Sequence, residues 1–327
     1  MIPQITHQNY KNLSSCATFE RLICYNRHKE PERVVVMSKR LRKGNLSIIE
    51  FQKKYDTEDK CREYFFNLRF PNGFVCPHCG GTSLGHVRTR NLLRCKCCRK
   101  QISVTSGTVF HHTKISLVQI IWAMFLFAND KRGCSAIQIM KALKVNYDTA
   151  LYLLKRLRKA MHRREERYML KGLVELDDTY VGTSTHGKKR GRGTEKSSVI
   201  VAVAKDTHKA TFAKMKVVDD LKSYTFKEFA SGSIEKGSSI ESDDCKALVK
   251  GLAEDYSVDH QVYSPEKDML VHLHRIISNL KAFINGTYHG VTKEHLQEYL
   301  DEFCFRFNRR GFAEHLFERL ALAAFTT

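Results

Sequence analysis

The chain of 327 residues carries 55 Lys+Arg against 35 Asp+Glu, a formal charge of +20, with 42% hydrophobic and 10% aromatic residues. That apolar content supports packed cores and excludes wholesale disorder, the length fits two or three domains, and the charge favours polyanionic partners. The longest apolar run, Leu117–Ala128, contains Gln119 and is too short for a bilayer span of about 20 residues, and Met1 to Asn26 has no continuous apolar stretch of the signal-peptide kind. A cytoplasmic chain with no membrane partner is therefore expected, its eleven cysteines serving as thiols or metal ligands and not as disulfides.

Residues 1–44 are polar and basic, without periodicity, and read as a disordered tail. Ile48, Phe51 and Tyr55 then fall at helical spacing, and a second short helix is expected to start at Thr57, a usable N-cap. Pro71-Asn-Gly73 breaks the pattern. Strand-like runs follow at Gly73–Val75, Leu92–Arg94 and Gln101–Thr105. Among them lie Cys76-Pro-His-Cys79 and Cys95-Lys-Cys-Cys98, two Cys-x-x-Cys knuckles with fifteen residues between them. Four thiolates at this spacing suit tetrahedral Zn²⁺, each tight turn supplying two ligands, so Cys76, Cys79, Cys95 and Cys98 are expected to form a structural zinc site. Cys97 is then a spectator and His78 is surplus to a complete set. Cys61, Cys134, Cys245 and Cys304 read as core residues. Residues 45–112 thus form a first module, short helices plus a zinc ribbon.

Residues 113–168 are helical in pattern. Leu117–Phe127 is apolar on most faces, Ser135-Ala-Ile-Gln138 is a capping box, and Lys144-Val-Asn146 turns into a basic helix, Tyr147–Met161. Two helices joined this way, the second rich in positive charge, read as a helix-turn-helix-like DNA-binding region. Lys155, Arg156, Arg158 and Lys159 are its candidate phosphate contacts. A helical hairpin with a solvated charged face is the plainer alternative.

From Leu173 the period becomes strand-like. Strands are expected at Leu173–Val181, Ser198–Ala204, Thr211–Val218, Ser239–Ser242 and Gln261–Ser264, with helices at about 269–285 and 293–309. Residues 169–310 therefore read as an α/β catalytic domain, a mixed sheet flanked by helices, and residues 311–327 as a C-terminal tail. Between the first two strands lies a basic glycine-rich loop containing Lys188, Lys189, Arg190, Arg192 and Lys196, further candidate DNA contacts. Asp177 sits within an apolar strand pattern, on the same side as Glu175, and Asp243 ends another apolar-then-acidic run. A carboxylate in such a setting is costly unless paired or metal-bound. Two that converge hold two Mg²⁺ ions about 4 Å apart, the arrangement used for phosphoryl transfer. Solvated strand-end aspartates are the alternative, and spacing alone favours it. Farther on, Leu273, Ile276, Ile277, Leu280 and Ile284 form a helical core stripe. His274 and Lys281, seven apart, lie within about 20° of each other at its edge, where they can coordinate a metal and grip a phosphate, although each taken alone reads as a surface residue.

In these residues the sequence resembles the insertion-sequence transposases with an N-terminal zinc ribbon and an RNase-H-like domain of the DDE superfamily, the ISXO-type group. The matching segments are Leu68–Gly80, Gly107–His111, Val174–Gly182, Gly187–Lys196, Gly286–Gly290 and Tyr299–Arg310, together spanning about residues 45–320. Phe70 stands where the family has Trp and Asp244 where it has Gly, and residues 1–44 have no match. The resemblance implies an RNase-H-like fold and an enzyme, a transposase that binds double-stranded DNA at element ends and target and catalyses metal-dependent strand cleavage and transfer. Asp177 and Asp243 match the two family aspartates, His274 takes the place of a third ligand that varies in the family, and Lys281 matches the family lysine that follows. Glu266 and Asp268 are acidic alternatives for the third ligand. The implied cofactors are structural Zn²⁺ and catalytic Mg²⁺ or Mn²⁺, and the implied assembly is a homo-oligomer that holds two DNA ends. A non-catalytic zinc-ribbon DNA-binding regulator and a metal-dependent nuclease without strand transfer are the rival readings.

Overall fold

In chain order, the described residues of the computed structural model are 47–182, 196–207, 209–243, 245–261 and 269–326, so the expected tail, 1–44, lies outside them. Helix α1 (Ile48–Lys54) begins with a capping box in which Ser47 and Glu50 satisfy each other's amides. In α2 (Glu58–Arg69) the Thr57 hydroxyl accepts from the Lys60 amide, as the sequence indicates.

The ribbon is an antiparallel meander of β1 (Leu84–Val87), β2 (Leu92–Cys95) and β3 (Gln101–Ile102). The run Gly73–Val75 is not a strand, because the chain there turns straight into the first knuckle, where the Cys76 amide donates to the Gly81 carbonyl. Leu84–Val87, with Gly and His in its middle, has little intrinsic strand preference and is recruited by pairing with β2.

Three helices follow, α3 (Leu117–Asn129), α4 (Ala136–Leu143) and α5 (Tyr147–Glu165), capped by Ser116, Ser135 and Asn146. Ser135 and Gln138 form the expected capping box, and Lys144 turns the chain in the left-handed region at φ 54°.

The second half is built on a five-stranded sheet of β4 (Leu173–Val181), β5 (Ser197–Lys205), β6 (Ala210–Val218), β7 (Ser239–Asp243) and β8 (Ser257–Gln261), in the order β6-β5-β4-β7-β8. The first three are antiparallel, while β7 and β8 run parallel to β4. This order and these directions make the fold RNase-H-like. Parallel neighbours need crossovers, and two helices absent from the sequence reading supply them: α6 (Ser223–Ser233) and α7 (Lys246–Leu252). Neither has a side-chain cap, and α6 ends in Ser231-Gly232-Ser233, which reads as a turn. A Cβ on Gly251 would lie 2.3 Å from the Ser223 carbonyl oxygen, so α7 can approach α6 only through glycine. The last strand described is Ser257–Gln261, in register with all of β7 and with Val258 packed on the core, while the expected strand Gln261–Ser264 lies beyond Gln261 outside the described residues.

One face of the sheet packs Leu176, Ile200 and Ala202 against Phe226 and Leu248 of α6 and α7. The other packs Val201, Val203 and Met215 against α8 (Val271–Tyr288) and α9 (Lys293–Asn308), through Leu273, Ile277 and Leu300. Burial on both faces explains the near-continuous apolar run of β5. Along the outer strand, Gln297 and Asn308 of α9 bond the β6 backbone at Val217, Met215 and Ala213, which closes that edge.

Within the expected tail, 311–327, the described residues up to 326 are folded. A 3-10 turn (Arg310–His315) leads into α10 (Leu316–Thr326), where Phe325 stacks on Phe65 at 4.0 Å and Phe317 meets Phe51. A helix of Leu, Ala and Phe with few polar positions must be buried, and the N-terminal helices bury it.

Candidate metal centres and nucleic-acid interface

Both Cys-x-x-Cys turns fold back on themselves, through Gly80 N–H to Cys76 O and Cys95 N–H to Lys100 O. Gly81 allows the sulfurs to approach, since a Cβ there would lie 2.7 Å from Cys97 Sγ and 3.4 Å from Cys79 Sγ. Cys76 Sγ and Cys98 Sγ are 3.7 Å apart, Cys79 Sγ and Cys95 Sγ are 3.6 Å apart, and all four lie within 4.8 Å of one another. Tetrahedral Zn–S bonds of about 2.3 Å put sulfurs about 3.8 Å apart, so this donor set fits zinc. Backbone amides of Cys98 and Cys97 aid the Cys95 thiolate, whose pKa is lowered to about 6. Cys79, although it accepts from the Gly81 amide, is pushed up to about 11 by the sulfurs of Cys98 and Cys95. Cys61, Cys134, Cys245 and Cys304 are buried away from this cluster, as expected of core residues.

The strand carboxylates lie on neighbouring strands. In the parallel β4–β7 ladder Glu175 faces Glu241, the last pair of the ladder, and Asp177 and Asp243 follow two residues farther along their strands, each on the same side of its strand as its own glutamate. This is the face covered by α8, which carries His274. Asp177 Oδ1 accepts from the Asp178 amide, and Asp177 Oδ2 lies 3.8 Å from His274 Nε2. Asp243 Oδ1 is buried and, among the described residues, has no hydrogen-bond partner. A buried carboxylate oxygen left unpaired is costly, and a divalent cation removes that cost. The donor set of two carboxylates and an imidazole therefore fits a divalent ion, although among the described residues only the ribbon cysteines are drawn together as a close group of three or more ligands. Glu266 and Asp268 lie outside the described residues.

Lys281 is one helical face along from His274, and packing together with the nearby charge of Lys196 lowers its ammonium pKa. Lys188, Lys189, Arg190 and Arg192 lie outside the described residues.

Sequence reading did not assign a role to the rung below the aspartates. Glu175 is 1% exposed and accepts from the Leu273 amide at 2.6 Å, in the first turn of α8. Lys205 bridges it to Glu241, at 3.1 Å and 2.5 Å. Burial works against the Lys205 charge, but Glu241 and Glu175 outweigh it and raise its pKa. A charge this deep in an apolar strand was the available signal, and only its partners, distant in sequence, give it meaning.

On α5, Lys155, Arg156 and Lys159 fall on one side; Lys159 is exposed, the other two are half-buried, and Arg156 lies 4.8 Å from the Tyr152 ring. Arg158 is a correction. It is 1% exposed, bonds Glu302 of α9 at 2.8 Å and stacks on Tyr299 at 4.0 Å. Burial works against its charge, yet Glu302, Tyr299 and Tyr288 outweigh it and keep the guanidinium protonated. Three residues from Lys155, it points into the protein and not toward a polyanion. Glu302 also binds Arg306 and the Tyr288 hydroxyl, while Glu165 binds Asn308 and Arg309, so α5 is pinned to α9 by buried polar contacts.

Residues 169–308 match the ISXO2-like transposase domain and residues 56–101 match the transposase zinc-ribbon domain. A protein of Halobacterium salinarum, described as an uncharacterized protein in transposable element ISH50, is 27% identical over 141 residues, which is 42% of this chain and 47% of the relative. The chain thus spans about half the length of that relative. Among solved structures, the Mos1 strand transfer complex is similar at a TM-score of 0.28 and 13% identity, over 63% of this chain and 78% of that one. The Mos1 mariner paired end complex with Mn is similar at 0.27 and 14%, over 61% and 77%. The fold assignment rests on the strand order above and not on these scores. Among the described residues no helix is long and apolar enough to cross a membrane.

Proposed function

We propose that this chain, which carries the zinc-ribbon and ISXO2-like domains of insertion-sequence transposases, mobilises its element by binding the element's double-stranded ends, cutting them and joining them to target DNA. The observation that most supports this is His274 Nε2 lying 3.8 Å from Asp177 Oδ2 on β4, with Asp243 on the adjacent parallel strand β7 carrying a buried oxygen that has no partner among the described residues. Asp177, Asp243 and His274 would hold Mg²⁺ or Mn²⁺. Bound there, such ions supply Lewis-acid activation of water or a 3′-hydroxyl and stabilise the charge of in-line displacement at phosphorus. Lys281 and Lys196 supply positive charge beside this face and hold a backbone phosphate. Cys76, Cys79, Cys95 and Cys98 hold Zn²⁺ and keep the ribbon folded.

The α4–α5 hairpin docks on DNA, with Lys155, Arg156 and Lys159 meeting phosphates. The loop with Lys188, Lys189, Arg190 and Arg192 adds to the same electrostatic footprint. Binding then weakens steeply with salt, and each phosphate-contacting lysine replaced reduces the log–log salt slope by about 1. Two ends must be held together for joining, so the working form is a homo-oligomer, acting in the cytoplasm on the nucleoid.

The test is Asp177→Ala, assayed for binding and for cleavage on a linear duplex carrying the element end, with Mg²⁺ and with Mn²⁺. Retained binding with lost cleavage supports the proposal. Wild type that binds but never cleaves leaves a DNA-binding regulator. Cleavage whose 3′ ends never become joined leaves a nuclease.

A further inference from the structure

His274 reaches Asp177 from the start of a helix that has no local means of fixing where it begins. The residue before α8 is Leu270, in the left-handed region at φ 51°, and no side chain next to it caps the helix. The first-turn amides of a helix need an acceptor, and a carboxylate there also meets the positive end of the helix dipole. Glu175 is that acceptor. It comes from β4, two residues before Asp177, and its Oε2 takes the Leu273 amide at 2.6 Å. Leu273 is the neighbour of His274, and Glu175 and Asp177 project from the same face of the same strand. The remaining oxygen of Glu175 is held by Lys205 Nζ at 3.1 Å, which is held in turn by Glu241 at 2.5 Å.

The β4–β7 ladder thus ends on an acidic rung, Glu175–Glu241, and two residues farther along each strand stands a second pair of carboxylates, Asp177 and Asp243. The lower, Glu175–Glu241, is closed by an ammonium and an amide. The upper, Asp177–Asp243, retains a buried oxygen without a partner among the described residues.

We infer that Glu175 is a positioning residue, which seats the imidazole of His274 over Asp177 by fixing the first turn of α8 to strand β4, while Lys205 engages both carboxylates of the lower rung so that a divalent ion is held by the upper pair. This rests on the proposed metal centre. Glu175 acts through His274 and does not touch the ion.

The test uses the full chain with its zinc in place and reads two quantities: Mn²⁺ affinity, from the paramagnetic resonance signal of free Mn²⁺, and hydrogen exchange of the Leu273 amide. Glu175→Gln is expected to speed Leu273 exchange and to weaken Mn²⁺ binding, each by about tenfold, since a charge-assisted bond to the backbone is lost. In a His274→Ala background, Glu175→Gln is expected to add almost nothing to the loss of Mn²⁺ affinity, because the group it positions is gone. Glu175→Asp keeps the charge facing Lys205 but is one methylene short of the amide. It is expected to show the same coupling, and it serves if the Gln variant fails to fold. Additive losses in Mn²⁺ affinity from Glu175 and His274 variants would overturn the inference and make Glu175 a ligand in its own right. Unchanged Leu273 exchange in both Glu175 variants would overturn it too. Wild type and Asp177→Asn binding Mn²⁺ equally well would be a separate failure, that of the metal centre itself, and the inference would fall with it.

Discussion

Two candidate metal centres in this molecule are built by opposite means. In the ribbon, four sulfurs from two tight turns lie within 4.8 Å of one another, and the three short strands around them bury few apolar side chains. On the sheet, Asp177, Asp243 and His274 come from β4, β7 and α8; β7 is held by the core on one face of the sheet, α8 by the core on the other, and β4 by both. On the proposed reading, the first centre needs its ion in order to fold, and the second is a prepared surface that ions and DNA enter and leave. Closed sites with all ligands from protein suit structure, and open ones suit chemistry.

The sharpest way to break this contrast is to strip the metals. Chelation of zinc, or Cys95→Ser, should unfold residues 76–102, since structural zinc contributes on the order of 10 kcal/mol to small zinc modules. The five-stranded sheet should survive, as residue-resolved hydrogen exchange would show; collapse of both regions together would make the contrast wrong.

Next in size is the sheet face. Asp243→Asn should reduce strand cleavage roughly a thousandfold, the rate equivalent of several kcal/mol of lost charge stabilisation. The melting temperature of the metal-free protein should stay the same or rise, because an uncompensated buried oxygen loses its charge. A large fall in melting temperature would mean that Asp243 is structural.

The joint between the two halves comes third. Arg158→Met leaves Glu302 buried and short of a partner, and breaking such a pair costs about 3–5 kcal/mol. Denaturant unfolding should show that loss, whereas Lys159→Ala on the exposed side should leave stability unchanged and weaken DNA binding. Equal effects of the two variants would erase the distinction drawn between them.

The smallest effect concerns His162 on α5. Its Nδ1 lies 3.0 Å from Asp301 and its Nε2 lies 3.1 Å from Glu166, and Asp301 first, then Glu166, raise its pKa above the ordinary value. A group whose pKa is raised on folding stabilises the fold below its unfolded pKa, about 6.5, and that gain is lost as pH rises through the folded value. The melting temperature should therefore fall slightly above pH 6.5, and His162→Ala should flatten that part of the profile. His162 is half-exposed, so solvent screening keeps the effect modest.

The two centres also differ in how far they could be read from sequence, and for the same reason. Ligands on neighbouring turns are fixed by spacing, so Cys76, Cys79, Cys95 and Cys98 stand out at once. The capped helices after Thr57 and Ser135, and the strand Leu173–Val181, were equally legible, because caps and periodicity act locally. Asp177 and Asp243 were visible as costly carboxylates in apolar strands and through the family resemblance; the β4–β7 register that puts their strands side by side is encoded by no local pattern. Arg158 misled for the converse reason. Its nearby cations, Lys155, Arg156 and Lys159, are half-buried or exposed, and only Glu302, on a helix far along the chain, shows that Arg158 is buried. The crossover helices α6 and α7 lack caps and lean on the sheet, and α10 reads as a tail until Phe51 and Phe65 are beside it.

The central claim is that Asp177, Asp243 and His274 share divalent cations. A crystal of the full chain soaked in Mn²⁺ and measured at the manganese absorption edge tests it most directly. The account predicts an anomalous peak bounded by all three side chains, absent in Asp177→Asn. Three side chains apart with no ion among them, or a peak unchanged in the variant, would contradict it.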